Sequence, residues 1–291
     1  MDFKQIEAFV NVVRYKSFSK AADATFFTKP TISAHIQNLE KELDVKLLNR
    51  NGRSVEMTTQ GSEFYKYAIE MINARSAALN AMGAGPDAAS GILEIQTSSI
   101  PAVTFLPDLL AKFREDHNGV MYYVSVSDTD TVVDNIIDRR GEIGFVGDKI
   151  NSTAIDSVKI AQDKTVMIAP KSYGLSGSIS LEKASNLTFI WRETGSATRK
   201  TFEAAAVAQG LDKMSFKVAA LFNDIDSIVR AVESGLGVAV ISENIASRLG
   251  DRVSVLDIDG FGEERSFYLI KLKNVSLSPT AEAFYQYIAT I

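Results

Sequence analysis

The chain has 291 residues, a net charge of −5, no cysteine and two histidines, a length that predicts two or three domains rather than one compact unit. The absence of thiols excludes a disulfide framework and a thiolate metal centre, and two isolated histidines, His35 and His117, leave no basis for a zinc or redox mechanism. No apolar run approaches the roughly twenty residues that a membrane-spanning helix requires, and the start Met1-Asp2-Phe3-Lys4-Gln5 has no signal-peptide pattern, so the expectation is a cytoplasmic protein with no membrane partner and no cofactor.

Residues 17–53 carry the densest signal. A short helix is expected over residues 20–25 with Ser19 as its N-cap, and after a tight turn Thr28 caps a second helix. Pro30 falls in the first turn of that helix, where its missing N–H costs nothing. Ile32, Ile36, Leu39 and Leu43 follow at spacings of four, three and four, which buries one face. About 100° of rotation per residue then turns Pro30, Ala34, Gln37, Asn38 and Lys41 outward, with Thr31 and Ser33 on the flanks. Such a face, short and rich in amide and hydroxyl groups, suits a major groove, where base edges offer donors and acceptors. The dipeptide Asn51-Gly52 predicts a type I′ hairpin, because that turn needs positive φ at both central residues. Arg50 and Arg53 flank it, placed for phosphate or minor-groove contact, so the unit has the form of a winged helix-turn-helix. The overall acidity does not oppose this: residues 1–60 hold nine Lys and Arg against seven Asp and Glu, a net of plus two.

Residues 58–82 lack proline and repeat Phe64, Ala68, Met71, Arg75, Leu79 and Met82 at three or four residues. This predicts one long helix with a narrow stripe, suited to a seam with a second copy of the chain. The run Gly83-Ala84-Gly85-Pro86-Asp87 breaks it and marks a domain boundary. Strands then alternate with helices: strands over 92–97, 121–127, 142–146, 158–169, 187–191, 216–221 and 238–241, helices over 132–140, 197–209 and 225–234. That alternation predicts an α/β domain with largely parallel sheets. A strand over 266–273 and a helix over 280–291 read as a return to the first half. The expected organisation is a DNA-binding domain over 1–58, a linker and dimerisation helix over 59–90, and a two-lobed domain over 91–291. Its first lobe takes 91–164 and 268–291, its second 165–267, with a cleft between them.

Two strand-to-helix turns carry clustered hydroxyls: Thr97-Ser98-Ser99-Ile100 in the first lobe and Thr194-Gly195-Ser196-Ala197-Thr198 in the second. Helix N-termini with Ser and Thr donors are anion sites, although one such residue alone is more often an N-cap. Arg192 and Arg199 are available to supply charge. Trp191 either walls the cleft or belongs to the core, and Asn223-Asp224-Ile225-Asp226 adds an acidic turn.

Residues 1–61 resemble the LysR-type transcriptional regulators almost position by position: Ile6, Phe9 and Val12, then Ser17-Phe18-Ser19 with Ala21-Ala22, Thr28-Lys29-Pro30-Thr31-Ile32-Ser33, Ile36, Leu39-Glu40, Leu43, Leu47, Arg50, Thr58 and Gly61. Three positions depart from the family: Lys29 stands where glutamine is usual, Ala34 where a long polar or basic side chain is common, and Leu48 where phenylalanine is usual. The second half resembles the periplasmic-binding-protein fold of the family's effector domain through Ile100-Pro101, Phe105-Leu106-Pro107, Gly141-Glu142-Ile143-Gly144, Gly195-Ser196-Ala197-Thr198-Arg199 and Gly235-Leu236-Gly237-Val238-Ala239. The resemblance implies double-stranded promoter DNA faced by Lys29, Pro30, Ser33 and Ala34, to which the helical face and the hairpin add Thr31, Gln37, Arg50 and Arg53 as candidates. It implies a small anionic effector at Ser98, Ser99, Ser127, Gly147, Thr194, Ser196 and Thr198, pairing through the long helix into a dimer or tetramer, and RNA polymerase as a further candidate partner. Two rival readings are an enzyme and a stand-alone solute receptor. The second half has no G-x-S-x-G elbow, Walker loop or Rossmann glycine triplet, and the winged helix argues against a free receptor.

Overall fold

The structure is a computed structural model that describes residues 1–25, 27–49, 55–82, 90–212, 216–261 and 265–290. The chain divides into two compact units. One comprises Met1–Leu93, Arg114–Tyr122 and Leu277–Ala283, the other Glu94–Phe113, Tyr123–Ser276 and Phe284–Ile291.

The first unit begins with α1 (Phe3–Tyr15), α2 (Phe18–Thr25) and α3 (Lys29–Leu43), followed by β1 (Leu48–Asn49), β2 (Glu56–Met57) and α4 (Thr59–Ala81). Asp2 opens α1 with a capping box: its carboxylate accepts from the Gln5 N–H at 2.8 Å and the Gln5 side chain accepts from the Asp2 N–H at 3.0 Å. The start of α2 corrects the expected cap. The helix begins at Phe18, Ser17 Oγ accepts from the Lys20 N–H at 3.3 Å, and Ser19 is an exposed residue of the first turn. Ile6, Phe9, Val12, Ala21, Ile32, Ile36, Leu39 and Leu47 form one core with Ala68, Ile69 and Ile72 of α4. The first half of α4 therefore packs on its own domain through Ala68, Ile69 and Ile72, while Leu79 and Met82 of the expected stripe are exposed.

From residue 90 onward the chain builds a five-stranded sheet, a four-stranded sheet and a two-stranded pair. The strands are β3 (Ser90–Ser98), β4 (Gly119–Ser127), β5 (Ile143–Val146), β6 (Ile155–Asp163), β7 (Thr165–Ala169), β8 (Gly177–Ser180), β9 (Thr188–Arg192), β10 (Lys217–Phe222), β11 (Ala239–Ser242), β12 (Ser254–Asp259) and β13 (Arg265–Leu272). Their orders are β4-β3-β5-β13-β6, β11-β7-β12-β8 and β10-β9. The helices are α5 (Ser99–Val103), α6 (Leu106–Asp116), α7 (Thr129–Ile137), α8 (Leu181–Ser185), α9 (Ala197–Ala208), α10 (Ile225–Glu233), α11 (Glu243–Ala246) and α12 (Pro279–Ala289).

Two expectations are corrected. The strand read as 158–169 is two strands that part at Lys164, with β6 in the five-stranded sheet and β7 in the four-stranded one. The sheets are mixed rather than largely parallel. β3–β5, β9–β10 and β8–β12 run parallel, but β13 is antiparallel to β5 and β6, and β7 to β11 and β12. Parallel pairing needs a crossover connection. β13 instead enters the first sheet from the second and runs back along β6, so that Arg265 and Asp163 are paired where the chain passes between sheets.

Candidate functional site

In the first unit, α3 presents the expected face. Thr28 Oγ1 accepts from the Thr31 N–H at 3.3 Å and lies 2.8 Å from Thr31 Oγ1, so the Thr31 hydroxyl is engaged in the cap. Lys29, Pro30, Ala34, Gln37, Asn38 and Lys41 are exposed, and Thr31 and Ser33 are half-buried. Beyond α3, β1 and β2 pair antiparallel, Leu48 with Met57 and Asn49 with Glu56. The Asn51-Gly52 turn, Arg50 and Arg53 lie outside the described residues.

Glu40, part of the family motif but given no role by its position there, is held at the inner face of α3. It is 3% exposed and accepts from the N–H groups of Leu47 and Leu48 at 3.0 and 3.3 Å and from Lys46 Nζ at 2.9 Å. Burial pushes its carboxyl up, but Lys46 and the two backbone N–H groups outweigh that and hold it below its ordinary value. A charged side chain on the inner face of α3 thus fixes the start of β1.

In the second unit, a cleft with about 240 Å³ of atom-free space, its open mouth included, brings together Ser98, Ser99, Gly147, Ser196 and Thr198 of the expected set. Ser127 and Thr194 do not line it. Ser127 Oγ lies 3.4 Å from the Asp128 carbonyl, and it is Asp128 and Thr129, at the start of α7, that face the cleft. Thr194 is exposed on its turn. The turn closes against Asp128 because residue 195 is glycine: a Cβ there would stand 2.0 Å from Asp128 Oδ1. Asp128 itself caps α7. Burial raises its carboxyl, but bonds from the Thr131 hydroxyl (2.7 Å) and N–H (3.0 Å) bring it below its ordinary value.

The hydroxyls of this cleft are not spent on capping. Ser98 and Ser196 occupy the N-cap positions of α5 and α9, both are buried, and neither side chain makes a capping hydrogen bond. Arg192 is 6% exposed and reaches across the cleft, with Nη2 donating to Ser99 Oγ at 2.6 Å. Glu193 forks the same guanidinium, with Oε2 2.9 Å from Nε and Oε1 2.6 Å from Nη2. Arg265 and Phe267 of β13 complete the lining.

Arg199 and Trp191 belong elsewhere. Trp191 is 5% exposed, stacked on Phe189 at 5.4 Å, and packs with Phe202 and Phe216 in the core of the four-stranded sheet. Arg199 lies over the Trp191 ring at 5.1 Å, pairs with Glu203 at 2.7 Å and donates to the Arg192 carbonyl at 3.0 Å. It positions Arg192 rather than lining the cleft. Asp224 is an N-cap, accepting from the Ser227 N–H at 2.7 Å. Among the described residues no group of three or more His, Cys, Asp or Glu is placed to hold a metal ion, and no helix is long and apolar enough to cross a membrane.

Comparison with known proteins gives the arrangement a family. Residues 3–62 match the bacterial regulatory helix-turn-helix protein, lysR family, and residues 86–290 match the LysR substrate binding domain. The RuBisCO operon transcriptional regulator of Allochromatium vinosum is 27% identical over 292 residues, covering 99% of this chain and 95% of that protein. Full-length CbnR complexed with its target DNA aligns over 100% of this chain and 99% of its own with a TM-score of 0.68 at 18% identity. The CcmR regulatory domain of Synechocystis PCC6803 in complex with 2-PG aligns over 69% of this chain and 97% of its own, with a TM-score of 0.62 at 21% identity. With a helix-turn-helix domain and a substrate-binding domain matched in order over nearly its whole length, the chain belongs to the LysR family of DNA-binding transcriptional regulators and is not an enzyme.

Proposed function

We propose that this regulator binds promoter DNA through Lys29, Pro30, Thr31, Ser33, Ala34 and Gln37 of α3 and through Arg50 and Arg53 of the wing, and that a small anion in the cleft of the second unit modulates that binding. The observation that carries the effector reading is the pair Ser98 and Ser196. Both are buried at N-cap positions with their hydroxyls uncommitted to the helices they precede, and Arg192 stands beside them. Hydroxyl donors, a guanidinium and the N-terminal end of the twelve-residue α9 together suit an anion. Relatives fit this reading: CbnR is solved on its target DNA and the CcmR regulatory domain with 2-PG. Ser99, Gly147 and Thr198 belong to the same proposed site, whereas Ser127 and Thr194 would act only from outside the lining.

The exposed residues Tyr67 and Leu79 of α4, with Met82 just past its end, are assigned to a second copy of the chain, giving a dimer and, by pairing of dimers, a tetramer with paired recognition helices. The domain limits that go with this are 1–58, 59–90 and 91–291, a cytoplasmic location is assigned, and RNA polymerase remains a candidate partner.

A gel-shift titration on the DNA upstream of the chain's own gene, at several salt concentrations, tests the reading. A sequence-selective shift is expected, with Lys29→Gln lowering the slope of log affinity against log salt by about one phosphate contact. A shift indifferent to sequence and salt would count against it. Ser99→Ala and Ser196→Ala are expected to abolish the response to the anion while leaving the shift itself in place.

A further inference from the structure

Arg265 is the charged residue whose surroundings leave most unexplained. It opens β13, lines the cleft, and its side chain is 8% exposed. Nη1 donates to Thr198 Oγ1 at 2.7 Å, and the guanidinium lies over the Phe267 ring at 5.0 Å. Nη2 stands 3.5 Å from Asp163 Oδ2, an ion-pair distance that makes no hydrogen bond, and Nε has no hydrogen-bond partner. A buried donor left without an acceptor costs about 1–3 kcal/mol; Asp163 Oδ2 beside Nη2 is likewise unpaired, so it is Nε of this cleft-lining residue that an acceptor brought by a ligand would satisfy.

Arg192 is held differently. Glu193 grips it with two parallel bonds, the geometry in which a free carboxylate meets a guanidinium, while Ser99 takes a third. Glu193 is the next residue in the chain and is more exposed than Arg192, 21% against 6%, so it can turn outward while the guanidinium stays. It occupies the place that a ligand carboxylate would take. Two buried guanidinium groups then serve one small cleft, and their proximity is felt: burial pushes the Arg265 pKa down, Asp163 opposes this, and Arg192 pushes it further down. Asp163 stands against Arg265 and the Asp128 carboxylate also faces the cleft, so it is the two separate guanidinium positions, and not net charge, that offer places for two anionic groups.

Building on the reading of the cleft as the effector site, we propose that the cleft selects a compact acid with two separated anionic groups. One meets Arg265 beside Ser196 and Thr198, and the other displaces Glu193 from Arg192 and Ser99. Arg265 and Glu193 thereby set specificity, the first as a receptor for charge and the second as an internal competitor that a singly charged acid displaces without compensation at Arg265.

Calorimetric titration of the full-length chain with succinate and phosphonoacetate, against butyrate and methylphosphonate, tests this, and the two doubly ended acids distinguish a carboxylate from a phosphonate as the second group. The doubly ended acids are expected to bind at least about tenfold tighter than their singly ended counterparts. Glu193→Gln is expected to tighten them by about tenfold by removing the competitor, and Arg265→Lys, which keeps a cation opposite Asp163, to weaken them by about tenfold while butyrate is unaffected. Because Glu193→Gln leaves the buried Arg265–Asp163 pair intact, it tests the proposal even if Arg265→Lys does not fold. Equal affinity for singly and doubly ended acids, or a Glu193→Gln variant no tighter than wild type, overturns the two-charge proposal and leaves the cleft an effector site. Failure of all four acids to bind overturns the effector reading itself.

Discussion

Glu40 carries two roles that a position on a helical wheel does not separate. The spacing of Ile32, Ile36 and Leu39 marks the inner face of α3, and Glu40 lies on that face beside Leu39 with 3% exposure. A buried carboxylate is tolerated only when its oxygens are satisfied, and here the N–H groups of Leu47 and Leu48 and the Lys46 ammonium satisfy it. Because the folded state holds the Glu40 carboxyl below its ordinary value, its contribution is present in full above the usual carboxylate range and is lost as pH falls through the folded value. Glu40→Gln is therefore expected to cost about 1–3 kcal/mol at neutral pH. The gap to wild type should narrow in acid, as read by chemical denaturation at several pH values. A gap constant with pH would show that the charge is not what holds the strand. Gly61 serves the same corner by having no side chain: a Cβ would stand 2.0 Å from the Leu47 carbonyl oxygen, where no backbone shift is cheap.

At the scale of elements, local chemistry was legible where one residue had one possible role and ambiguous where neighbours competed. Thr28 with Pro30 two residues on leaves a single start for α3, and the helix begins there. Ser17 and Ser19 both carry a capping oxygen, and the choice fell to Phe18, which packs against the first core and so belongs inside the helix. Ser17→Ala is expected to cost about 1 kcal/mol and Ser19→Ala less than about 0.5 kcal/mol in urea unfolding. The reverse order would return the cap to Ser19. The same limit explains the strand that divides at Lys164. No Gly or Pro separates β6 from β7, the polar run Gln162-Asp163-Lys164-Thr165 between them is compatible with one continuous strand, and the pairing partners, β13 on one side and β11 and β12 on the other, show that the chain changes sheets.

For the whole molecule, the decisive quantity is apolar surface that the chain does not cover by itself. On α4, Ala68, Ile69 and Ile72 are consumed by the first core, while Tyr67, Leu79 and, one residue past the helix, Met82 are 54%, 41% and 80% exposed. If a second copy covers them, Leu79→Asp with Met82→Asp is expected to reduce the species seen by light scattering to a monomer with unchanged helix content. The same change should weaken operator binding by at least about a hundredfold through lost bivalency. A double variant that remains an oligomer would move the interface off α4. Residues 1–60 are nearly neutral overall, so the pairing proposed through this surface would add affinity that their charge does not supply.

The helix-turn-helix, the long α4, the hydroxyl-rich turns and the family are readable along the chain, because they rest on short-range periodicity, capping chemistry and motifs that survive in one dimension. Which of those hydroxyls share a cleft, that Trp191 and Arg199 stay outside it, and that Arg265, 67 residues beyond Thr198, donates to its hydroxyl emerge from the folded arrangement alone. The reason is sheet topology. β13 returns from the second sheet to the first and carries Arg265 to the passage between them, a juxtaposition that no local spacing encodes.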